Sequence, residues 1–535
     1  MKFFKKSKPI IFVLLLLFVP YLLQAQNDYT PRNESCTSIM VGKNASTDGS
    51  VITSHTCDGR YRTWLNIVPA RTYATDTVRP VYWGLLHTET PDDRRNVEQK
   101  GTIPQVKQTF AFLNTAYPCL NEKQLGMGET TITGRKELYN ENGLFLIEEL
   151  QAIALERCST ARDAIMLIGS LVKQYGYGDY GECITIADKK EVWQLEIFGE
   201  GADKIGSVWA AQRIPDEHVG ISANISRISV IDTKDKDHFL YSENVFDVAK
   251  KMGFWDGKEP FKFWKAYGDT EKAFNIREFF VLSTLAPSLN LVYDVEELPF
   301  SVKPEKKVSV QDIIAFYRQT YEGTPYDMTK NLVSPIKQWN PETEEYEVVD
   351  TAVSAIANAW MGREERDLYN FLNPNSVTFY RTVAVSWCSY SHIIQLRDWL
   401  PDAVGGIAWF SFDNPAESPR IPIFAGTTTL PKLFNVCGQK SFREDAAIWK
   451  YRKANKLATV KWAKGKVDIE KAVADFENKA FAEMPYVEKT VQEMINNGGD
   501  YNKFLTDYTH NFAFATMTKW EELERLFWQY FGLGF

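Results

Sequence analysis

Histidine is scarce in this chain: six residues in 535, each standing alone in the sequence. That scarcity argues against a multi-histidine metal centre. Seven cysteines occur, Cys36, Cys57, Cys119, Cys158, Cys183, Cys388 and Cys437, and no two form a C-x-x-C pair. Zinc-ribbon and dithiol redox chemistry are therefore disfavoured, and no cofactor or metal is expected. Beyond residue 23 no apolar run approaches the ~20 residues that a membrane-spanning helix needs. A basic excess is missing too: residues 36–535 carry 56 basic and 67 acidic side chains, a net charge of −11. Such a balance disfavours nucleic acid or an anionic membrane surface as a partner. No internal repeat or low-complexity tract is evident.

What the chain does have begins with Lys2, Lys5, Lys6 and Lys8, an apolar run from Pro9 to Leu23, and then "QAQ". A basic start, ~15 apolar residues and small or polar residues after them describe a secretory signal, with cleavage expected near Ala25. The alternative is an uncleaved anchor. Residues 1–25 thus read as a signal peptide. The mature protein is expected to be exported, periplasmic or extracellular, with no stable membrane insertion after cleavage. In an oxidising compartment, an odd cysteine count suggests one thiol kept free while others pair. The remaining 500 or so residues, with aromatics at 14% of the chain, suffice for a large core in one oversized domain or two.

"CTSIMV" alternates, with Thr37, Ile39 and Val41 on one face and Ser38 and Met40 on the other. The turn cluster "GKNASTDGS" and the short strand "SVITSH" then predict a hairpin carrying Cys36 on its first residue. The segment at 141–158 has apolar residues near helical spacing, and Thr160 with Asp163 resembles a capping box ahead of a second helix. "CITIAD" and "EVWQLEIFG" predict a strand pair, and "HVGISANISRIS" a strand leading into a loop. Residues 240–375 read as an aromatic, irregular insertion with a polar stretch at "NPETEEYE". "TFYRTVAVSWCSY" and "VGGIAWFSF" return to strand character, and the chain beyond about residue 440 is charged and helical. These elements predict an α+β layered fold with antiparallel sheets.

Cys36 admits three readings: a lipid anchor, a disulfide half, or a nucleophile. Cys36 lies thirteen positions beyond Leu23, where the apolar run ends, which disfavours an anchor. A thiol nucleophile needs a base, and a free α-amine has a pKa near 7.7–8. Cutting the Ser35–Cys36 bond would place amine and thiol on one residue, so that no histidine is required. Residues 26–35 would then be a propeptide.

At "CTSIMVGKNASTDGSVITSHTCD" (36–58), "NEKQLGMGETTITGRKEL" (121–138), "DKKEVWQLEIFG" (188–199) and "VGISANISRI" (219–228) the sequence resembles the cysteine dipeptidases of the dipeptidase A and secernin type. These are N-terminal-nucleophile hydrolases. Similarity continues more weakly through 380–397 and 405–424. The resemblance implies a four-layer αββα sandwich over 36–440, followed by a helical C-terminal region at 441–535. It implies Cys36 as nucleophile, Asp58 as the carboxylate orienting its amine, and Asn224 as a donor to the oxyanion. His55 stands where many relatives carry arginine ("R-N-x-D"), which exchanges a permanent cation for a titratable imidazole. It either contacts substrate or is a core histidine, and Cys57 reads as structural. Asn121 is a candidate second oxyanion donor, and Arg227 and Arg381 are candidates for binding a substrate carboxylate.

The expected activity is hydrolysis of amide bonds in short peptides, dipeptides above all, with a small peptide as partner and homo-oligomerisation left open. The alternatives are an amidase of the same fold acting on bile-salt or acyl-homoserine amides, and a non-catalytic surface binding protein. A papain-like Cys–His enzyme is disfavoured because "C-G-[SA]-C-[WY]" is absent around Cys36.

Overall fold

The computed structural model describes residues 35–532. The expected signal peptide and all of the expected propeptide except Ser35 lie outside the described residues.

Ser35–Val41 (β1) and Val51–Asp58 (β2) form the expected hairpin, with Cys36 opposite Cys57 and Ser35 opposite Asp58. Gly49 closes the turn at a φ of 84°, a left-handed conformation that favours glycine. Next come the strand Gly126–Thr131 (β3) and the helices Ile147–Arg157 (α1) and Ala161–Tyr175 (α2). The Thr160 side chain accepts from the Asp163 N–H and caps α2, as its spacing predicts. Four strands follow: Glu182–Ala187 (β4), Val192–Gly199 (β5), Ser207–Ile214 (β6) and Val219–Ser222 (β7). The helices Ile276–Leu285 (α3) and Val310–Tyr317 (α4) precede the strands Cys388–Leu396 (β8), Ile407–Phe412 (β9) and Ile421–Phe424 (β10). Three helices end the chain: Ala447–Ala458 (α5), Trp462–Asn497 (α6) and Tyr501–Phe531 (α7).

These strands build two antiparallel sheets. The first is seven-stranded and runs Ser301–Val302, β7, β1, β2, β8, β9, β10. The second is eight-stranded and runs Phe239–Tyr241, β6, β5, β4, β3, followed by three short strands at 120–121, 112–114 and 66–68. Strands β1 and β2 lie against β3 and β4, so the sheets face each other. They approach so closely that a Cβ on Gly128 would sit 2.3 Å from the Ser54 carbonyl oxygen, which only glycine tolerates. Helices cover the outer faces: α2 packs on β4, β5 and β6, while α3, α4, α5 and α7 pack on β7, β8, β9 and β10. Strands buried on both faces explain why β4 and β5 read as nearly continuous apolar runs. Each buried aliphatic side chain there contributes ~1.5–3 kcal/mol relative to exposure.

Three expectations are modified. Residues 240–375 are not irregular throughout: they hold α3, α4 and shorter helices, together with an exposed hairpin at 333–353 whose tip is the polar stretch. The helices after residue 440 also do not stand apart. Tyr451 of α5 and Trp520 of α7 are buried in the same core cluster as the strands of the first sheet, so a boundary near 440 divides the chain but not the core. The region at 377–387 forms no strand, and β8 begins only at Cys388. Among the described residues no helix is long and apolar enough to cross a membrane.

Candidate active site

Cys36 is the second residue of β1, after Ser35, and is fully buried where the two sheets meet. With the Ser35–Cys36 peptide bond intact, its nitrogen is an amide that donates to Asn224 Oδ1 at 2.8 Å. Asn224 follows β7 in a left-handed conformation with φ 68°, which asparagine tolerates better than most residues. Its Oδ1 also accepts from Arg277 Nη2 at 2.9 Å, and its Nδ2 donates to the Thr131 carbonyl at 2.8 Å. Two donors on one side and a carbonyl on the other fix the orientation of the amide. Asn224 therefore meets the nucleophile residue through its oxygen, while its donor is turned toward β3.

Arg277, which the sequence reading does not single out, completes this contact. It is the second residue of α3, a helix set by an Asn275–Glu278 capping box. Its Nη1 donates to the Cys36 carbonyl at 2.7 Å and to Thr37 Oγ1 at 3.1 Å, and its Nη2 also reaches the Ala223 carbonyl. Burial lowers its pKa to about 10, helped by the like charge of Arg381, so the guanidinium stays protonated at neutral pH.

Asp58 lies beside the same bond. Its Oδ2 accepts from Thr56 Oγ1 at 2.9 Å and from Arg381 Nη2 at 2.7 Å, and its Oδ1 is buried without a hydrogen-bond partner. Arg381 also donates to Ser35 Oγ through Nη2 at 2.6 Å and through Nε at 3.2 Å. One guanidinium thus grips both Asp58 and the residue preceding Cys36.

His55 faces β3. Its Nδ1 lies 2.7 Å from the Glu129 carbonyl oxygen, so Nδ1 carries the proton and Nε2 is left without a partner. Burial lowers its pKa to about 4, and the imidazole is neutral at physiological pH. It supplies no cation to a thiolate. Tyr117, Tyr390 and His392 surround the ring at centroid distances of 5.5, 5.8 and 5.4 Å. Cys36 Sγ, a His55 ring nitrogen and a Glu129 carboxylate oxygen all lie within 4.8 Å of one another, a soft and hard donor trio that could hold a metal ion. Burial pushes the Cys36 thiol well above its ordinary pKa, aided by the nearby Glu129, Cys57 and Asp58 charges, while the Asp58 backbone N–H opposes the rise. In this state the sulfur is a protonated thiol.

The remaining candidates are placed elsewhere. Asn121 spends its Nδ2 on the Leu155 and Cys158 carbonyls and its Oδ1 on the Lys123 and Leu125 N–H groups, fastening a turn to the end of α1. No donor remains for a second oxyanion contact. Arg227 donates through Nη2 to the Pro299 and Phe300 carbonyls, a structural anchor for the segment beyond α3. Among the described residues no disulfide links the seven buried cysteines, so the pairing that the odd count suggested is not formed.

Residues 35–475 match peptidase family C69, a stretch that opens one residue before Cys36. The chain belongs to that family. C69 groups cysteine dipeptidases of the N-terminal-nucleophile type, and the chain is accordingly a peptide-bond hydrolase. A "Probable dipeptidase" of Latilactobacillus sakei is 25% identical to it over 500 residues, covering 90% of this chain and 92% of that protein. A "Probable dipeptidase" of Salmonella dublin is 23% identical over 412 residues, covering 73% and 81%. A "Probable dipeptidase B" of Lactococcus lactis is 25% identical over 432 residues, covering 75% and 77%.

Proposed function

We propose that the protein is an exported cysteine dipeptidase whose nucleophile, Cys36, becomes the N-terminus when residues 1–35 are removed. The observation that carries this reading is the treatment of the Cys36 nitrogen. It is held by Asn224 Oδ1, and next to it Asp58 keeps a buried oxygen without a partner. An unpartnered buried carboxylate oxygen is costly, and an ammonium formed at Cys36 would satisfy it. The two facing sheets with helices outside them support this reading, since that is the layering expected of an αββα N-terminal-nucleophile sandwich.

In the cycle we infer, the Cys36 α-amine takes the thiol proton and the sulfur attacks the scissile carbonyl. Asn224 serves there as the oxyanion donor that the resemblance implies, once its Nδ2 turns from the Thr131 carbonyl toward the scissile carbonyl; losing such a donor typically costs ~10²–10³ in rate. The amine product leaves with the proton carried by the α-ammonium, and water hydrolyses the thioester. Maturation uses the same sulfur. It attacks the Ser35 carbonyl, the acyl group moves from nitrogen to sulfur and leaves the Cys36 amine free, and hydrolysis of the thioester releases the propeptide and restores the thiol. Once Ser35 has left, the two Arg381 N–H groups it occupied become available to a substrate carboxylate.

The test is an assay of the secreted protein with free dipeptides and with N-acyl amides of bile-salt and acyl-homoserine type. The reading predicts dipeptide turnover that Cys36→Ala abolishes. Turnover of the N-acyl amides alone would assign the other amidase chemistry. Absence of any Cys36-dependent hydrolysis would leave a binding protein.

A further inference from the structure

Two buried carboxyl groups near Cys36 have no part in the chemistry above. Glu129 on β3 and Glu182 on β4 lie on adjoining strands, with Thr131 as the register partner of Glu182. On its other side β3 is paired only at Gly126, so no strand covers the flank at Glu129. A carboxylate oxygen of Glu129 is within 4.8 Å of Cys36 Sγ. Oε2 of each glutamate is buried without a hydrogen-bond partner, and the fully buried His55 beside them has an unpartnered Nε2 as well. No lysine or arginine among the described residues pairs with either carboxyl, whereas other buried acids of the site do find one, as Asp58 finds Arg381.

The position fits one feature of an unblocked peptide. Its α-nitrogen is two bonds from the carbonyl carbon that the sulfur attacks, a separation of ~2.5 Å from standard bond lengths and angles. A sulfur at near-attack distance, ~3–3.5 Å from that carbon, has the α-nitrogen roughly 3–5 Å away. With its carboxylate oxygen within 4.8 Å of the same sulfur, Glu129 is in reach of that nitrogen.

We propose that Glu129 and Glu182 form the subsite for the free α-ammonium of the substrate, and that this subsite makes the enzyme reject blocked N-termini. The proposal rests on the dipeptidase reading of Cys36. Burial pushes both carboxyls up, and the Glu129 charge raises Glu182 further, while contact with Glu182 lowers Glu129. An ammonium beside them favours the ionised form. Neutral His55 sets no fixed positive charge against the ligand, which an arginine at the same position would do.

The experiment measures kcat and KM on one dipeptide and on its N-acetyl derivative for wild type, Glu129→Gln and Glu182→Gln. Wild type is expected to favour the free dipeptide by at least roughly 100-fold in kcat/KM. A charge-assisted contact of this kind is worth roughly 10–100-fold, so Glu129→Gln is expected to raise KM for the free dipeptide by that factor. Its kcat should change far less, and its turnover of the acetylated peptide should not fall, so the selectivity collapses. Should Glu129→Gln fail to fold, Glu182→Gln and the wild-type comparison still decide. Full selectivity in both variants with normal wild-type activity overturns the subsite alone, as does equal wild-type turnover of the two peptides. A wild type that cleaves neither peptide removes the dipeptidase reading and the subsite with it.

Discussion

Asn224 Oδ1 stands 2.8 Å from the Cys36 nitrogen although 188 residues separate the two in sequence. The side chain also ties Arg277 and the Thr131 carbonyl to the same point, so one amide joins β1, β3 and α3 at the Ser35–Cys36 bond.

Replacing Asn224 therefore has two separable effects. Asn224→Ala and Asn224→Gly both remove the contact with the nucleophile residue, and each is expected to lower kcat by ~10²-fold. They differ in stability. At φ 68° the alanine carries a left-handed strain of ~1 kcal/mol that glycine avoids, so the glycine variant should melt higher. Kinetics and thermal melting of the pair read both effects, and a glycine variant less stable than the alanine one would contradict the assigned backbone role.

Arg277→Lys should not behave as a conservative change. The guanidinium fork serves four acceptors on Cys36, Thr37, Ala223 and Asn224, and an ammonium on a flexible stem reaches at most some of them. Each buried acceptor left unpaired costs ~1–3 kcal/mol. We expect a melting temperature lower by several degrees and kcat/KM reduced ~10–100-fold. Wild-type kinetics in the lysine variant would show that the fork is dispensable.

Buried ionisable groups set the response to pH. His55 titrates at about 4 in the fold and near 6.5 in the unfolded chain, so unfolding takes up a proton between these values. Its contribution is complete above pH ~6.5 and falls by up to roughly 3 kcal/mol as pH drops to ~4. Glu148 on α1 has the opposite sense, because burial pushes it up to about 8. Its stabilising share is present below pH ~4.5, where both states hold the proton, and is lost as pH rises to ~8. Melting curves of Glu148→Gln against wild type from pH 5 to 8 should diverge in favour of the variant. Parallel curves would mean that Glu148 ionises normally.

The hairpin around Cys36 and the strand pair β4–β5 were legible because alternation and turn residues are local signals. So was α2, whose cap lies within four residues of chain. The 240–375 segment was not, because α3 and α4 are short helices whose burial comes from packing on β7 and β8 rather than from a long periodic pattern. Among the site residues, Cys36, Asp58 and Asn224 sit in recognisable motifs, and the fold does gather them. Arg277 lay hidden for the opposite reason: its partners are backbone carbonyls and side chains more than 50 residues away, a relation that sequence spacing does not carry. Asn121 was misleading because an asparagine that fastens a turn looks the same in sequence as one that faces a substrate. Glu129 and Glu182 sit in unremarkable strands, and only the meeting of the sheets sets Glu129 beside the sulfur.

The central claim is that the attacking sulfur and its base belong to one residue, and the intact mass of the active protein tests it most directly. The account predicts a chain that begins at Cys36 with no disulfide, and a longer, inactive chain for Cys36→Ala. Full activity in a protein that still carries Ser35 and residues before it would contradict the account.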